Sequence, residues 1–153
     1  MQRYAYDRRF MALAATVAAQ SRCAKRQVGA VLSQGGQVVA TGCNGPLAGT
    51  HDCATEWPGV GCARDLHGGC SLALHAEQNA IVAAWQGGSK VQGGTLYVTL
   101  APCLPCARLI CGVGIRQVVY AASYAAYKGL AREEGVDLLQ QVGVHVGLLK
   151  HPK

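Results

Sequence analysis

The chain has 153 residues, half of them hydrophobic and only 14% charged, with a formal net charge of +6. That length buries a single core, and so little charge with so much apolar content excludes a disordered segment. The positive balance suits an anionic small ligand such as a phosphate. The Lys and Arg residues are scattered, which argues against a nucleic-acid track, and no segment has the length to span a membrane.

Residues 4–21, with Tyr4, Phe10, Met11, Leu13 and Val17, predict an Ala-rich amphipathic helix. Its apolar stretch follows Arg8 and Arg9 and so mimics a secretion signal. It is short, however, Asp7 interrupts the basic residues, and Arg22, Lys25 and Arg26 follow closely. These cues favour a surface helix of the domain. Runs at 27–32 and 37–41 meet around Gly35-Gly36, a hairpin signal. Residues 45–69 show no steady period and hold Pro46 and Pro58, so they read as one long loop, 45–74 with its lead-in to the next helix. Loops of that length inside a compact domain are usually functional or stapled.

Ala76, Ala80, Ile81, Ala83 and Ala84 give an apolar helical face over 75–85, stopped by Gly87-Gly88. A strand at 95–100 is broken by Pro102, a helix covers 103–111, and a strand covers 116–121. A short helix at 124–134 and a last strand at 142–146 follow. The alternation predicts one α/β domain over 1–153, three layers with helices on both faces of a mixed sheet of about five strands.

His75-Ala76-Glu77 and Pro102-Cys103-Leu104-Pro105-Cys106 carry the chemistry. Catalytic zinc takes three protein ligands and keeps its fourth position open. An imidazole and two thiolates are such a set, and Glu77 stands where a general base is needed. C-x-x-C alone also marks structural zinc and redox pairs, but H-x-E followed by P-C-x-x-C is the pattern of zinc-dependent nucleobase deaminases. A structural site would close with a fourth Cys or His. Cys111 lies more than a helical turn beyond Cys106 and reads better as a core thiol. The Cys103/Cys106 spacing puts both thiols on one side of a helical turn, where the helix N-terminus favours thiolate.

Phe10-Met11, Ser21-Arg22-Cys23, Val28-Gly29-Ala30-Val31, Gly42-Cys43-Asn44-Gly45, His75 to Ile81, Tyr97-Val98-Thr99 and Pro102 to Ala107 together resemble the deoxycytidylate deaminases. These are a branch of the cytidine and deoxycytidylate deaminase superfamily, and the match runs from about residue 4 to residue 127. The resemblance implies a cytidine-deaminase-like fold and hydrolysis of dCMP to dUMP and ammonia. His75, Cys103 and Cys106 would hold the catalytic Zn2+, and Glu77 would shuttle protons from water to ring N3 and to the departing amine. The Ala76 N–H would hold the pyrimidine O2, and Asn44 would meet the sugar. By position alone, Lys25 and Arg26 flank the expected pocket mouth on the phosphate side. The eight cysteines fit thiolate-bound zinc in a reducing cytoplasm better than a disulfide framework, and the resemblance implies a homo-oligomer, family members being commonly hexamers. Cys43 departs from the family's Gly-Tyr-Asn-Gly; in regulated relatives that segment lies near the site where dCTP activates and dTTP inhibits, and a thiol lacks the area and hydroxyl of Tyr.

Some relatives carry a second, structural zinc, and Cys23, Cys53, Cys62 and Cys70 match its ligand positions, with His67 in reserve. Such a closed thiolate site would staple the long loop. Two other readings stay open: another activity of the superfamily on a nucleoside, base, modified dCMP or nucleic acid, and a non-catalytic zinc-stapled interaction module.

Overall fold

The computed structural model describes residues 2–50, 66 and 70–149. Its elements are α1 (Gln2–Ala18), β1 (Gly29–Gln34), β2 (Gln37–Cys43), β3 (Gly45–Pro46), β4 (Ala73–Leu74), α2 (Ala76–Gln86), β5 (Thr95–Val98), α3 (Leu104–Gly112), β6 (Gln117–Tyr120), α4 (Tyr124–Lys128), α5 (Glu134–Gln141) and β7 (His145–Leu148). Five strands form a mixed sheet in the order β2-β1-β5-β6-β7. β1 runs antiparallel to both β2 and β5, whereas β5, β6 and β7 are parallel.

Alternation along the strands sets the layers. Ala30, Leu32, Leu96, Val98 and Val118 point to one face and join Ala76, Ala80, Ala107, Ile110 and Leu139 of α2, α3 and α5. Val31, Tyr97 and Val119 point to the other and meet Met11, Ala14 and Val17 of α1. This is the three-layer arrangement that the sequence predicts. α1 is a packed helix of the domain, though its buried stripe runs through Met11 and Ala14 while Tyr4 and Leu13 face outward. Gly35 and Gly36 turn the hairpin with φ of 57° and 78°, the backbone a two-residue turn of this hand requires.

Two predicted elements differ. The helix expected at 124–134 is split: Gly129 adopts φ 67° and ends α4, and a second helix, α5, starts at Glu134. The last strand is β7 at His145–Leu148 rather than 142–146, because Val142 ends α5 and Gly143, at φ 85°, turns the chain. The long loop also has a closed neck, with Gly45 pairing Leu74 and Pro46 pairing Ala73 in an antiparallel ladder, extended by a Leu47 N–H bond to the Leu72 carbonyl at 2.8 Å.

Close backbone approaches seat the site's helices. A Cβ on Gly42 would lie 2.3 Å from the Ala80 nitrogen and 2.6 Å from the Ala76 oxygen, so α2 rests directly on β2. A Cβ on Gly135 would lie 2.0 Å from the Pro102 oxygen and 2.9 Å from the Cys103 carbonyl carbon, so α5 braces the turn after β5. Neither contact can yield as a flexible side-chain tip would. Gly135→Ala is therefore expected to destabilise the fold by roughly 1–3 kcal/mol or more, as overpacking does. Urea unfolding measures it, and a cost under about 0.5 kcal/mol, the range of neutral surface changes, would show the approach is not required.

Candidate metal centre

Two helix starts converge on one point. His75 is the N-cap of α2, with φ −73° and ψ 160°, and its backbone N–H is bound by the Gln78 side chain at 2.8 Å. Cys103 is the N-cap of α3, with φ −71° and ψ 169°. Cys106 sits three residues on, in the first turn. Both caps thus stand one residue ahead of the first helical turns where the sequence places them. Pro105, inside that turn, is the proline whose missing N–H costs nothing; Pro102 precedes the cap.

The His75 Nδ1 lies 3.4 Å from the Cys103 Sγ and 3.3 Å from the Cys106 Sγ. All three ligand atoms fall within 4.8 Å of one another. Zinc at about 2.3 Å from sulfur and about 2.0–2.1 Å from nitrogen, with tetrahedral angles, sets each N···S edge at roughly 3.5–3.6 Å. The observed edges are a few tenths shorter, so zinc fits with a small outward shift of the ring. Both thiols are buried while His75 is exposed, which leaves one side of the cluster open to solvent. Cys111, half-buried at the end of α3, lies outside this cluster.

The electrostatics agree with a cation site. The Cys103 thiol is pushed down to about 4, first by the hydrogen bond from Cys106 and further by His75. Cys106 is pushed up by that same bond and by burial, the opposite direction from its partner. His75 is raised, chiefly by its bond to Cys103. A divalent ion would leave both sulfurs as thiolates. Glu77 is only 4% exposed. Burial pushes its carboxyl up to about 7, with hydrogen bonds from its own backbone N–H and from Cys106 opposing the rise.

The other predicted residues distribute as follows. The β3/β4 ladder pairs Gly45 with Leu74, and Asn44 and His75 are the residues that flank this pair in the chain. The Asn44 Oδ1 accepts the Val28 N–H at 2.8 Å and its Nδ2 donates to the Arg26 carbonyl at 2.8 Å. That uses two of the four bonds an amide can make. Ala76, the first residue of α2, is fully buried, and its N–H has no acceptor within the helix. Lys25 is exposed and Arg26 half-buried. Cys23 is half-buried and Cys70 exposed, whereas Cys53, Cys62 and the reserve ligand His67 lie outside the described residues.

One neighbour escapes sequence reasoning: α4. The charges of Cys103, Cys106 and Glu77 add to burial in raising the Tyr124 phenol, and the Lys128 charge acts on His75. The Arg26 guanidinium stacks 4.3 Å over the Tyr127 ring, with the Lys128 Nζ at 5.2 Å. The only hint in the sequence is a pair of tyrosines on a short helical segment, which a solvated helix shows equally well.

Fold and donor set together define a zinc-binding α/β domain with a buried carboxylic acid beside the metal position. Residues 5–122 match the family model of the cytidine and deoxycytidylate deaminase zinc-binding region, and the chain belongs to that family. It is similar to the ComE operon protein 2 of Bacillus subtilis, 35% identical over 95% of this chain and 72% of that protein. It is 37% identical to the deoxycytidylate deaminase of Saccharomyces cerevisiae over 95% of its own length, but spans only 45% of that protein. Among solved structures, the dCMP deaminase of cyanophage S-TIM5 in complex with dCMP and dUMP superposes with a TM-score of 0.75 at 30% identity, over 94% of this chain and 95% of that one.

Cys106→Ser and His75→Ala are each expected to lower the zinc content of the purified protein by one ion per chain, while Cys111→Ser leaves it unchanged. Elemental analysis checks this, and an undiminished zinc content in Cys106→Ser would refute the ligand assignment.

Proposed function

We propose that the chain is a hydrolytic deaminase that converts dCMP and water to dUMP and ammonia, with His75, Cys103 and Cys106 holding one catalytic zinc. One observation carries the reading beyond metal binding. Glu77 is a buried carboxyl two residues from a ligand, held near neutrality by desolvation, and a purely structural site has no use for such a group. Zinc, when bound, supplies a Lewis acid that lets water ionise near neutral pH.

The chain's own residues do the rest. Glu77 takes a proton from the attacking water and delivers it to N3 of the pyrimidine. It then takes the remaining hydroxyl proton of the C4 adduct and passes it to the amine, so the C4–N bond breaks as the C4 carbonyl forms, ammonia leaves and the carboxylate ends as it began. A group titrating near the working pH suits both directions of transfer. The Ala76 N–H, free at the positive end of α2, receives the pyrimidine O2. Asn44, with its amide bonded to Val28 and Arg26, has one lone pair and one N–H left for the deoxyribose. Arg26, with Lys25 and Lys128 near it, supplies positive charge on the phosphate side.

The remaining expectations belong to the same proposal. Cys23, Cys53, Cys62 and Cys70, with His67 in reserve, form a second zinc site, and the chain assembles as a homo-oligomer in the cytoplasm. Among the described residues no helix is long and apolar enough to cross a membrane.

Glu77→Gln is expected to keep its zinc and lose about 10²–10⁴-fold in ammonia release from dCMP, the usual contribution of a general acid–base. Activity of the wild type on dCMP above deoxycytidine, dCTP and single-stranded DNA supports the substrate; preference for another of the four would replace it. Two zinc ions per chain, falling to one in Cys70→Ser, are expected for the second site, and one ion in the wild type removes it.

A further inference from the structure

We propose that Glu133 is a positioning residue, latching α4 beside the metal centre so that Tyr127 aims the Arg26 guanidinium at the phosphate side of the pocket. The inference rests on the deoxynucleotide reading above.

α4 spans only Tyr124–Lys128, far below the length at which a helix holds itself together in water. Its order comes from bonds made at its ends. Glu133, beyond its C-terminus, accepts the Ser123 hydroxyl with one carboxylate oxygen and the Ala125 N–H at 3.1 Å with the other. Ser123 in turn accepts the Ala126 N–H at 2.9 Å. At the other end, the Leu130 N–H returns to the Ala125 carbonyl at 2.8 Å. One carboxylate thereby closes residues 123–133 into a ring and satisfies donors that a one-turn helix leaves open.

The ring is anchored to the metal turn. Immediately after Glu133, α5 begins, and its Gly135 lies against the Pro102 and Cys103 backbone. Glu133 therefore has a fixed position relative to Cys103, and α4 inherits it. From there Tyr124 packs on the core and Tyr127 offers its ring to Arg26. The backbone of Arg26 is tied by Asn44, whose Nδ2 donates to its carbonyl. A half-buried arginine held at its backbone and stacked along its side chain gives up its rotamer freedom before substrate arrives. Preorganisation of that kind strengthens binding without new contacts.

A latch of this kind acts on substrate binding, and it acts through Arg26. A residue that merely supports the fold would lower both kcat and stability. The test measures kcat, KM for dCMP, zinc content and Tm for Glu133→Ala, Arg26→Ala and the double variant, with Ser123→Ala as a second way to open the ring. Expected are a rise in KM of about tenfold with kcat within about threefold for Glu133→Ala, the signature of lost uniform binding. Zinc content is unchanged, and Glu133→Ala adds no further loss in the Arg26→Ala background, as coupled positions require. Equal falls in kcat and Tm, independent effects in the double variant, or an unchanged KM in both Glu133→Ala and Ser123→Ala would overturn the latch. A wild type inactive on dCMP would instead refute the substrate reading, so the two failures are distinguishable.

Discussion

Three ligand atoms from two helix caps, gathered within 4.8 Å, are the constraint that the rest of the structure serves. An N-cap residue has extended backbone and a free side chain, so it reaches ahead of its helix toward a shared point. His75 does this for α2 and Cys103 for α3. The sheet supplies the aim, because β5 delivers the chain to Pro102 and Cys103, and the ladder of β3 with β4 delivers it to His75. Each delivery is then locked by a close backbone contact, Gly42 beneath α2 and Gly135 against the Cys103 turn.

The same crowding sets the chemistry. A carboxyl as enclosed as Glu77 would be a liability in an ordinary core, since burying an unpaired charge is costly. Here burial raises the carboxyl to about 7. The thiols show the opposite adjustment: their mutual hydrogen bond favours one thiolate even before a cation arrives. Acid and ligand thus sit a few ångströms apart with opposite demands on the local field, and hydrogen bonds from helix-start N–H groups reconcile them.

Much of this was legible in the sequence because it is local. Period and glycine punctuation located α1, the hairpin, α2, β5, α3 and β6 to within a few residues. The spacing of His75, Glu77, Cys103 and Cys106 carried the metal cluster outright. What escaped was long-range or ambiguous in period. Val142 to Val146 alternates like a strand, yet its first residues finish α5 and turn at Gly143, a choice made by the burial of Leu139 and Val144. Gly129 lies inside the helix expected at 124–134 and is the end of α4. Nothing in the residues around 45 and 73 announces a two-residue ladder, because neither half is a strand without the other. The partnership of Glu133 with Ser123 and Ala125 was equally silent, since a glutamate before a helix has many surface explanations.

The contact of Gly135 with Cys103 also bears on how the protein matures. The metal turn and the histidine are synthesised well before the helix that braces them. A growing chain therefore owns every ligand atom of the cluster while lacking the wall behind one of them. The brace reaches the Cys103 turn only once Gly135 has been added to the chain and packed against it.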